Sequence, residues 1–218
     1  MWGDLSIMNE ISRGEFIAFE GIDGSGKSTQ IRNLLNRLND YGIRCYETKE
    51  PTDSPIGSLI HQIMTGRISA DNRVIASLFV ADRVDHLLNK TDGICQKIDN
   101  GITVITDRYY FSSYAYHSVD MEMDWVIQAN SISADILRPT VTVFLDVPVK
   151  KALERIERER FHVELFEKEE RLRKVRDKYF EAFEKLKSEE NIVIVDSSGS
   201  IEEVFENIWN SISQFLIL

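Results

Sequence analysis

Residues 16–29 hold the feature that most constrains the fold, a glycine-rich turn between an apolar run and a helical pattern. Gly21, Gly26, Lys27 and Ser28 fill the pattern G-x-x-x-x-G-K-[ST]. Its glycines let backbone N–H groups face phosphate oxygens, its lysine reaches the outer phosphates, and its hydroxyl can ligate Mg²⁺. This context favours a phosphate-binding loop over a simple turn. The predicted triphosphate-binding residues are Gly21, Ile22, Asp23, Gly24, Ser25, Gly26, Lys27, Ser28 and Thr29.

The composition narrows the possible surroundings and partners of the chain. Its 218 residues suit one domain, and 43% hydrophobic and 28% charged content is ordinary for a globular protein. A net charge of −10 argues against a non-specific nucleic-acid or anionic-membrane surface. Two cysteines without metal-ligand spacing, and no 18-residue apolar run, predict a cytoplasmic protein. Residues 1–14 do not resemble a signal peptide and are interpreted as an N-terminal extension of a domain spanning 15–213.

Short apolar runs alternate with helical patterns along the chain. The predicted strands are 15–20, 43–48, 102–106, 141–145 and 192–195. Alternation of this kind predicts an α/β fold, a three-layer P-loop NTPase architecture with a five-stranded, mainly parallel sheet between helices. Ligands bind at the carboxyl ends of such strands, where the phosphate loop, the loop 49–55, Asp107-Arg108 and Asp146 all fall. We therefore expect these segments to form one site.

One motif in the sequence suggests a different class of protein. Asn89-Lys90-Thr91-Asp92 matches the N-K-x-D pattern with which GTPases read guanine. That pattern belongs at the end of an apolar strand, whereas here it ends a helical run, and no D-x-x-G partner occurs between the phosphate loop and this segment. We interpret the match as a chance occurrence at a helix C-terminus.

The charged tract 150–190 allows two interpretations. An apolar stripe from Leu172 to Leu186 indicates a solvated helix with i,i+4 ion pairs. The segment before it concentrates Arg155, Arg158 and Arg160, and arginines near a phosphate site can stabilise transition-state charge. We favour a functional role for this earlier segment, a lid at about 155–167.

The motifs together resemble those of the thymidylate kinases, which transfer the γ-phosphate of ATP to dTMP. The matching stretches in chain order are the phosphate loop (19–30), an R-E-P-x-x-x-P-x-G-like loop (49–57), an L-F-x-A-x-R helix (78–83), a D-R-Y…S-S-x-A-Y segment (107–116), Leu145–Pro148 and a lid helix (166–179). The resemblance covers about residues 15–213. The phosphate loop alone would indicate only a nucleotide triphosphate.

The resemblance implies a role for each matching residue. It implies that Mg²⁺ is the cofactor, that ATP is the phosphate donor and that dTMP is the acceptor. The implied metal-binding residues are Ser28 and Asp107, with Asp107 acting through water. The implied catalytic residues are Lys27, Asp107, Arg108, Arg158 and Arg160. The implied acceptor-binding residues are Asp23 at the sugar 3′-hydroxyl, Glu50, Phe79 on thymine, the phosphate-gripping pair Arg83 and Arg108, Ser112, Tyr116 and Glu167.

Four departures from the family pattern stand out. Gly24 replaces a loop arginine found in one subgroup, which makes Arg158 or Arg160 the expected catalytic arginine. Lys49 replaces the usual arginine and gives up bidentate geometry, His117 replaces a common glutamine, and Phe166 lacks a phenolic hydroxyl.

The sequence leaves alternative functions open. The acceptor could be another nucleoside monophosphate or a nucleoside, and dTMP could be accepted alone or together with dUMP. A non-catalytic ATP-binding regulatory module is an alternative from another class, although the presence of the expected arginines argues against it. The resemblance also implies a homodimer formed through helices.

Overall fold

A computed structural model describes residues 13–159 and 165–216. The five strands of its sheet are β1 (Phe16–Glu20), β2 (Cys45–Lys49), β3 (Thr103–Asp107), β4 (Val141–Asp146) and β5 (Ile192–Asp196). Their order is β2-β3-β1-β4-β5, and all four pairings are parallel. The predicted α/β fold is confirmed, with a sheet that is wholly parallel in the described part of the chain.

Helices cover both faces of this sheet. In the described ranges they are α1 (Lys27–Asp40), α2 (Pro55–Met64), α3 (Asn72–Leu88), α4 (Ile94–Asp99), α5 (Tyr110–His117), α6 (Met123–Ile136), α7 (Val149–Glu159), α8 (Leu165–Leu186) and α9 (Ile201–Ile212), followed by a 3₁₀ turn (Ser213–Phe215). None of these helices combines the length and apolar composition needed to cross a membrane.

The central strand β1 divides the core into two layers. All five of its residues are buried, and successive side chains point to opposite faces, as in any strand. Phe16 and Ala18 belong to the cluster formed with α4, α5, α6 and α8, while Ile17 and Phe19 belong to the cluster formed with α1 and α9. Burial on both faces explains why β1 is a continuous apolar run up to Glu20.

The element boundaries differ from the predicted ones at strand and helix starts. β2 begins at Cys45 rather than at residue 43 because Gly42 adopts φ 76° and the N–H of Ile43 donates to the carbonyl of Leu38 at 3.0 Å. These contacts close the end of α1 and delay the strand. Helix starts depend on caps that periodicity does not show, such as Asp71, whose side chain accepts from the N–H of Arg73 before α3.

The N-K-x-D segment lies at the C-terminus of α3, as predicted. Asn89 ends the helix, its side chain accepts from the N–H of Thr91 at 2.9 Å, and its carbonyl accepts from the N–H of Gly93 at 2.9 Å. The segment is thus a helix-ending turn rather than a loop after a strand.

The strand order places β1 between β3 and β4, where consecutive crossovers run in opposite directions. A crevice forms at such a switch point, beyond the carboxyl ends of the strands. The loops after β1 and β3 meet at this edge, since the N–H of Arg108 donates to the carbonyl of Phe19 at 2.9 Å.

Candidate active site

The phosphate loop connects β1 to α1 through glycines in conformations that other residues rarely adopt. Gly24 and Gly26 have φ values of 77° and 98°, and Gly26 immediately precedes the first residue of α1. Ile22 is buried in the core and anchors the loop, while Ser28 and Thr29 are exposed on the first turn of α1. The loop therefore presents the positive end of α1 to the crevice.

Gly24 is also required by its contact with α7. A Cβ atom at this position would lie 2.4 Å from the carbonyl oxygen of Ala152, well inside van der Waals contact. An arginine would be excluded here both by this backbone contact and by the positive φ. The departure noted in the sequence thus has a local cause, the close approach of α7 to the loop.

Arg155 fixes α7 against the outer side of the same loop. Its Nη1 donates to the carbonyl oxygens of Gly24 at 3.2 Å and Ser25 at 3.3 Å, and its Nη2 donates to that of Ser197 at 2.8 Å. The sequence placed Arg155 in an arginine-rich segment but gave no indication of these partners. In this arrangement the guanidinium braces the loop from outside.

Lys27 is buried at the floor of the site. Its Nζ donates to the carbonyl oxygen of Gly21 at 3.2 Å and lies 3.7 Å from Oδ1 of Asp107. Burial is the main reason why the pKa of Lys27 is lowered, and the charge of Arg108 adds to this effect. A bound polyphosphate would supply the negative charge that this desolvated ammonium lacks.

Asp107 and Ser28 form a pair of hard oxygen ligands next to Lys27. The Ser28 hydroxyl lies 3.5 Å from Oδ2 of Asp107, and the buried Oδ1 of Asp107 has no hydrogen-bond partner among the described residues. Carboxylate and hydroxyl oxygens suit Mg²⁺, which usually takes one or two protein ligands and completes its shell with phosphates and water. Within the described ranges there is no group of three or more His, Cys, Asp or Glu side chains that could hold a metal alone.

Arg108 lies at the rim of the crevice and contacts the phosphate loop. Its Nη2 donates to Oδ1 of Asp23 at 2.6 Å, and its Nη1 donates to the carbonyl oxygen of Gly21 at 3.2 Å. Ser112 Oγ accepts from Nη1 at 3.0 Å, and Tyr116 Oη accepts from Nη2 at 3.3 Å. The structure therefore brings these predicted residues together around one guanidinium.

Arg83 lies in a different environment, inside the protein. Only 1% of its surface is exposed, and its Nε donates to Oε2 of Glu50 at 2.7 Å. Its Nη1 donates to Oδ1 of Asn130, and its Nη2 donates to Ser113 Oγ at 3.1 Å. In this structure the two guanidinium groups bond to different partners, and a joint grip of Arg83 and Arg108 on the acceptor phosphate stays a prediction.

Glu50 and two residues of α3 hold the loop that follows β2. Oε1 of Glu50 lies 3.2 Å from Nδ1 of His86, and the buried Asp82 accepts from the N–H of Thr52 at 2.8 Å and from Ser54 Oγ at 3.0 Å. Neither His86 nor Asp82 belongs to the residues predicted from the sequence motifs. The sequence did contain a signal for them. Both are polar residues in an otherwise apolar helical pattern, and their spacing places them near Arg83 on one face of the helix.

Phe79 and His117 lie side by side near this loop. Their ring centroids are 5.2 Å apart, and Phe79 is half-buried rather than part of the core. Burial and the positive charge of Arg83 lower the pKa of His117 to about 4, so the imidazole is neutral near pH 7. A neutral imidazole offers one hydrogen-bond donor and one acceptor, as does the amide that it replaces.

The remaining predicted residues are those of the predicted lid segment and Asp146. Arg160 is outside the described residues, and the description also leaves out the side chains of Arg158, at the end of α7, and of Glu167, near the start of α8. Asp146, at the end of β4, is bound by Arg176 of α8 through contacts of 2.7 and 2.8 Å. It therefore anchors α8 rather than facing an open crevice.

The fold and the loop place this chain among the P-loop nucleotide-binding proteins. Residues 19–208 match the family model described as thymidylate kinase. The "Probable thymidylate kinase" of Pyrococcus horikoshii is 38% identical over 202 residues, covering 90% of this chain and 94% of that protein. Proteins of the same name from Methanocaldococcus jannaschii and Thermococcus gammatolerans are 36% identical (88% of this chain, 93% of that protein) and 34% identical (94% and 98%).

The chain belongs to the thymidylate kinase family. It is therefore a nucleoside monophosphate kinase, a phosphotransferase that uses ATP as donor. Both the fold and the class of enzyme agree with the expectations from the sequence motifs.

Proposed function

We propose that this protein transfers the γ-phosphate of ATP to dTMP in the presence of Mg²⁺, as a step toward dTTP. One observation carries the proposal. Lys27 and Arg108 both donate to the carbonyl oxygen of Gly21, each at 3.2 Å. Two cations that share one carbonyl oxygen lie close together, and they can define neighbouring sites for two anions, a donor polyphosphate and an acceptor phosphate.

The donor side of the mechanism follows from the loop. Backbone N–H groups of residues 21–29 and the ammonium of Lys27 would hold the β- and γ-phosphates. Ser28 and Asp107 would hold Mg²⁺, directly or through water, and when bound the ion neutralises charge on the phosphates. Phosphoryl transfer requires little covalent help, so positioning and charge stabilisation account for most of the rate enhancement.

The acceptor side is built around Arg108. Its fork is suited to a phosphate dianion, Asp23 would accept from the sugar 3′-hydroxyl, and Tyr116 and Ser112 line the space next to the guanidinium. The acceptor phosphate is already an anion near neutral pH and needs no strong general base. We assign Arg83 a supporting role, because it is buried and each of its three nitrogen atoms already donates a hydrogen bond, to Glu50, Asn130 and Ser113 respectively.

The base would lie against Phe79, next to His117. A planar pyrimidine can stack on the half-buried phenyl ring, and the neutral imidazole can exchange hydrogen bonds with the edge of the base. The assay therefore compares dTMP with dUMP, which lacks the 5-methyl group.

The lid would complete the site on closing. We propose that Arg158 or Arg160 stabilises the transferring phosphoryl group, since no side chain fits at Gly24, and that Glu167 approaches the acceptor. Closure would exclude water and limit ATP hydrolysis. Separate Arg158→Ala and Arg160→Ala variants identify the residue, because only one of them should lose the rate of transfer.

We propose a homodimer formed through α3 and α6. Both helices present large apolar side chains to solvent: Val74 and Leu88 on α3 are 50% and 53% exposed, and Trp125 and Ile132 on α6 are 42% and 51% exposed. Apolar residues on adjoining helices form the kind of patch that subunit interfaces cover. Sedimentation analysis of Leu88→Arg should show a monomer, with wild type as a dimer; a monomeric wild type would contradict the proposal.

The cellular location that we propose is the cytoplasm. Both cysteines, Cys45 and Cys95, are free thiols, and burial raises the pKa of each. Unpaired thiols of this kind suit a reducing compartment.

The test of the proposed function is an assay of ADP release with Mg-ATP against every common nucleoside monophosphate and thymidine. We expect the highest kcat/KM with dTMP and at least a 100-fold loss, roughly 3 kcal/mol, for Lys27→Ala. Activity with thymidine but not dTMP would contradict the assignment. Absence of turnover with every acceptor, with ATP binding retained, would instead support a regulatory module.

A further inference from the structure

Glu20 is a fully buried carboxylate directly behind the proposed acceptor site, and the proposed mechanism leaves it without a role. It is the last residue of β1, and none of its surface is exposed. Oε1 accepts from the N–H groups of Tyr109 at 2.9 Å and Ser112 at 3.1 Å. Oε2 accepts from Ser112 Oγ at 2.6 Å and Tyr179 Oη at 2.9 Å. Burial raises the pKa of Glu20, while the four donors that converge on its carboxyl group and the charge of Arg108 oppose that rise and favour the ionised form.

These bonds determine which way the two hydroxyl groups point. The hydroxyl groups of Ser112 and Tyr179 also lie 2.9 Å apart, where either could donate, and an ionised Glu20, which can only accept, draws both hydrogens toward itself. Their lone pairs are then available to Nη1 of Arg108, which lies 3.0 Å from Ser112 Oγ and 3.5 Å from Tyr179 Oη. An ionised Glu20 thus turns two acceptors toward the guanidinium, and its negative charge acts on Arg108 through them.

Glu20 also supports the unusual backbone of Arg108. Arg108 is the single residue other than glycine with positive φ in the described ranges, at 76°. Such a conformation persists where neighbouring contacts fix it. The N–H of Arg108 donates to Phe19, and the next N–H, of Tyr109, donates to Glu20. The two residues at the end of β1 therefore hold the peptides on both sides of Arg108.

Tyr179 connects this network to α8, the helix that follows residues 160–164. Its ring is buried against Phe144 and Phe183, with centroids 4.8 and 5.9 Å away, and it meets Tyr116 edge-on at 6.4 Å. A displacement of α8 would therefore move the Tyr179 hydroxyl relative to Glu20 and Arg108.

We propose that Glu20 is a positioning residue for the acceptor phosphate: through Ser112 and Tyr179 it holds the Arg108 guanidinium in its binding orientation, and Tyr179 links that orientation to α8. This inference rests on the proposed function, in which Arg108 binds the acceptor phosphate. It assigns no direct contact with substrate to Glu20.

The variants that test the proposal are Glu20→Gln and Tyr179→Phe. The amide group of Gln donates hydrogen bonds, so it would turn at least one hydroxyl hydrogen toward the cation of Arg108. Removal of the Tyr179 hydroxyl deletes one acceptor and leaves the ring in place. We expect the KM for dTMP to rise about 100-fold in Glu20→Gln and about tenfold in Tyr179→Phe, with the KM for ATP changed less than about twofold.

Tyr110→Phe is the matched control. Tyr110 is another buried tyrosine whose hydroxyl donates to a carboxylate, Oε1 of Glu190 at 2.6 Å, and it has no contact with Arg108. This variant should lose a comparable buried hydrogen bond and keep the wild-type KM for dTMP. Equal effects of Tyr179→Phe and Tyr110→Phe would overturn the proposal and leave Tyr179 with a structural role.

A double-mutant cycle separates action through Arg108 from other effects. In an Arg108→Ala background, Tyr179→Phe should change kcat/KM for dTMP less than about twofold, because the group it positions is gone. A further tenfold loss would contradict the proposal. If the wild-type protein were inactive with dTMP, the proposed function would be wrong. The same double-mutant cycle, measured by chemical unfolding, would then test the hydrogen-bond network itself. Unfolding free energies of Tyr179→Phe and Arg108→Ala that simply add would contradict that network.

Discussion

The two arginines of the acceptor motifs, Arg83 and Arg108, lie in regions with opposite properties. Arg83 is enclosed by α3, α5 and α6, is 1% exposed, and pairs with the equally buried Glu50. Arg108 lies at the crevice, its side chain is 18% exposed, and it pairs with Asp23, whose side chain is 63% exposed. Both arginines have a carboxylate partner, yet one pair is sealed in the protein, while in the other the carboxylate of Asp23 is open to solvent.

The difference indicates how a site can combine rigidity with the capacity to bind an anion. A buried ion pair loses several kcal/mol when one partner is removed, because the other charge stays unpaired in a medium of low polarity. An exposed pair is weak, and an incoming phosphate can replace its carboxylate at little cost. The Arg83 region therefore supports the site structurally. In the Arg108 region, the phosphate of a substrate can replace the carboxylate of Asp23.

The largest expected effect concerns stability at Arg83. Arg83→Ala leaves the buried Glu50 carboxylate without its cation, and we expect a loss of about 3–5 kcal/mol in the free energy of unfolding, measured by urea denaturation. Arg176→Ala, which removes a partly exposed arginine from Asp146, is the control and should cost about 1 kcal/mol or less. Equal losses in the two variants would remove the distinction between the regions.

The second expected effect concerns activity at Arg108. Arg108→Ala should lower kcat/KM for dTMP at least 100-fold, roughly 3 kcal/mol, since it removes the fork that binds the acceptor phosphate. Its unfolding free energy should change much less than that of Arg83→Ala. Arg171→Ala, at an exposed pair with Asp120, serves as the control for activity. Near-normal turnover of Arg108→Ala would contradict the proposed mechanism.

The third prediction uses the fixed positive charge of Arg83. Burial and that charge lower the pKa of His117 from 6.5 to about 4, while Asp120 opposes and Arg171 reinforces the shift. The unfolded chain binds a proton at His117 below pH 6.5, whereas the folded chain does so only below about pH 4. This contribution to stability is therefore lost as the pH falls from 6.5 through 4, by up to about 3 kcal/mol. Unfolding measured at pH 7 and pH 4 should show a smaller acid-induced loss for His117→Gln, and identical losses would refute the assignment.

The smallest expected effect concerns the exposed carboxylate of the second pair. Asp23→Asn should change the unfolding free energy by less than about 1 kcal/mol, because solvent screens the ion pair with Arg108. Glu50→Gln is the matched variant in the buried pair and should be destabilised several-fold more. A large stability loss in Asp23→Asn would mean that both pairs are structural.

The sequence predicted the fold and much of the site because these depend on local patterns. Five apolar runs and the spacing of Gly21, Gly26 and Lys27 determined the parallel sheet and its loop. The different burial of Arg83 and Arg108 was not predictable, since both stand in similar polar motifs and burial depends on tertiary packing. The contact between Gly24 and Ala152 joins residues 128 positions apart and likewise leaves no local signal.

Glu20 illustrates a signal that was present in the sequence and not used. A carboxylate ends an otherwise apolar strand whose residues are buried on both faces. A charged residue in that position must find hydrogen-bond donors inside the protein, and the structure supplies four. The identity of those donors, in particular Tyr179 from a helix 159 residues away, could come only from the fold.

The most direct test of the account is a crystal structure of the protein with dTMP and a non-hydrolysable ATP analogue. We expect the dTMP phosphate within about 3 Å of the Arg108 guanidinium, on the side now occupied by the Asp23 carboxylate, with the Arg83–Glu50 pair unchanged. A dTMP phosphate bound away from Arg108, with the Asp23–Arg108 pair intact, would contradict it.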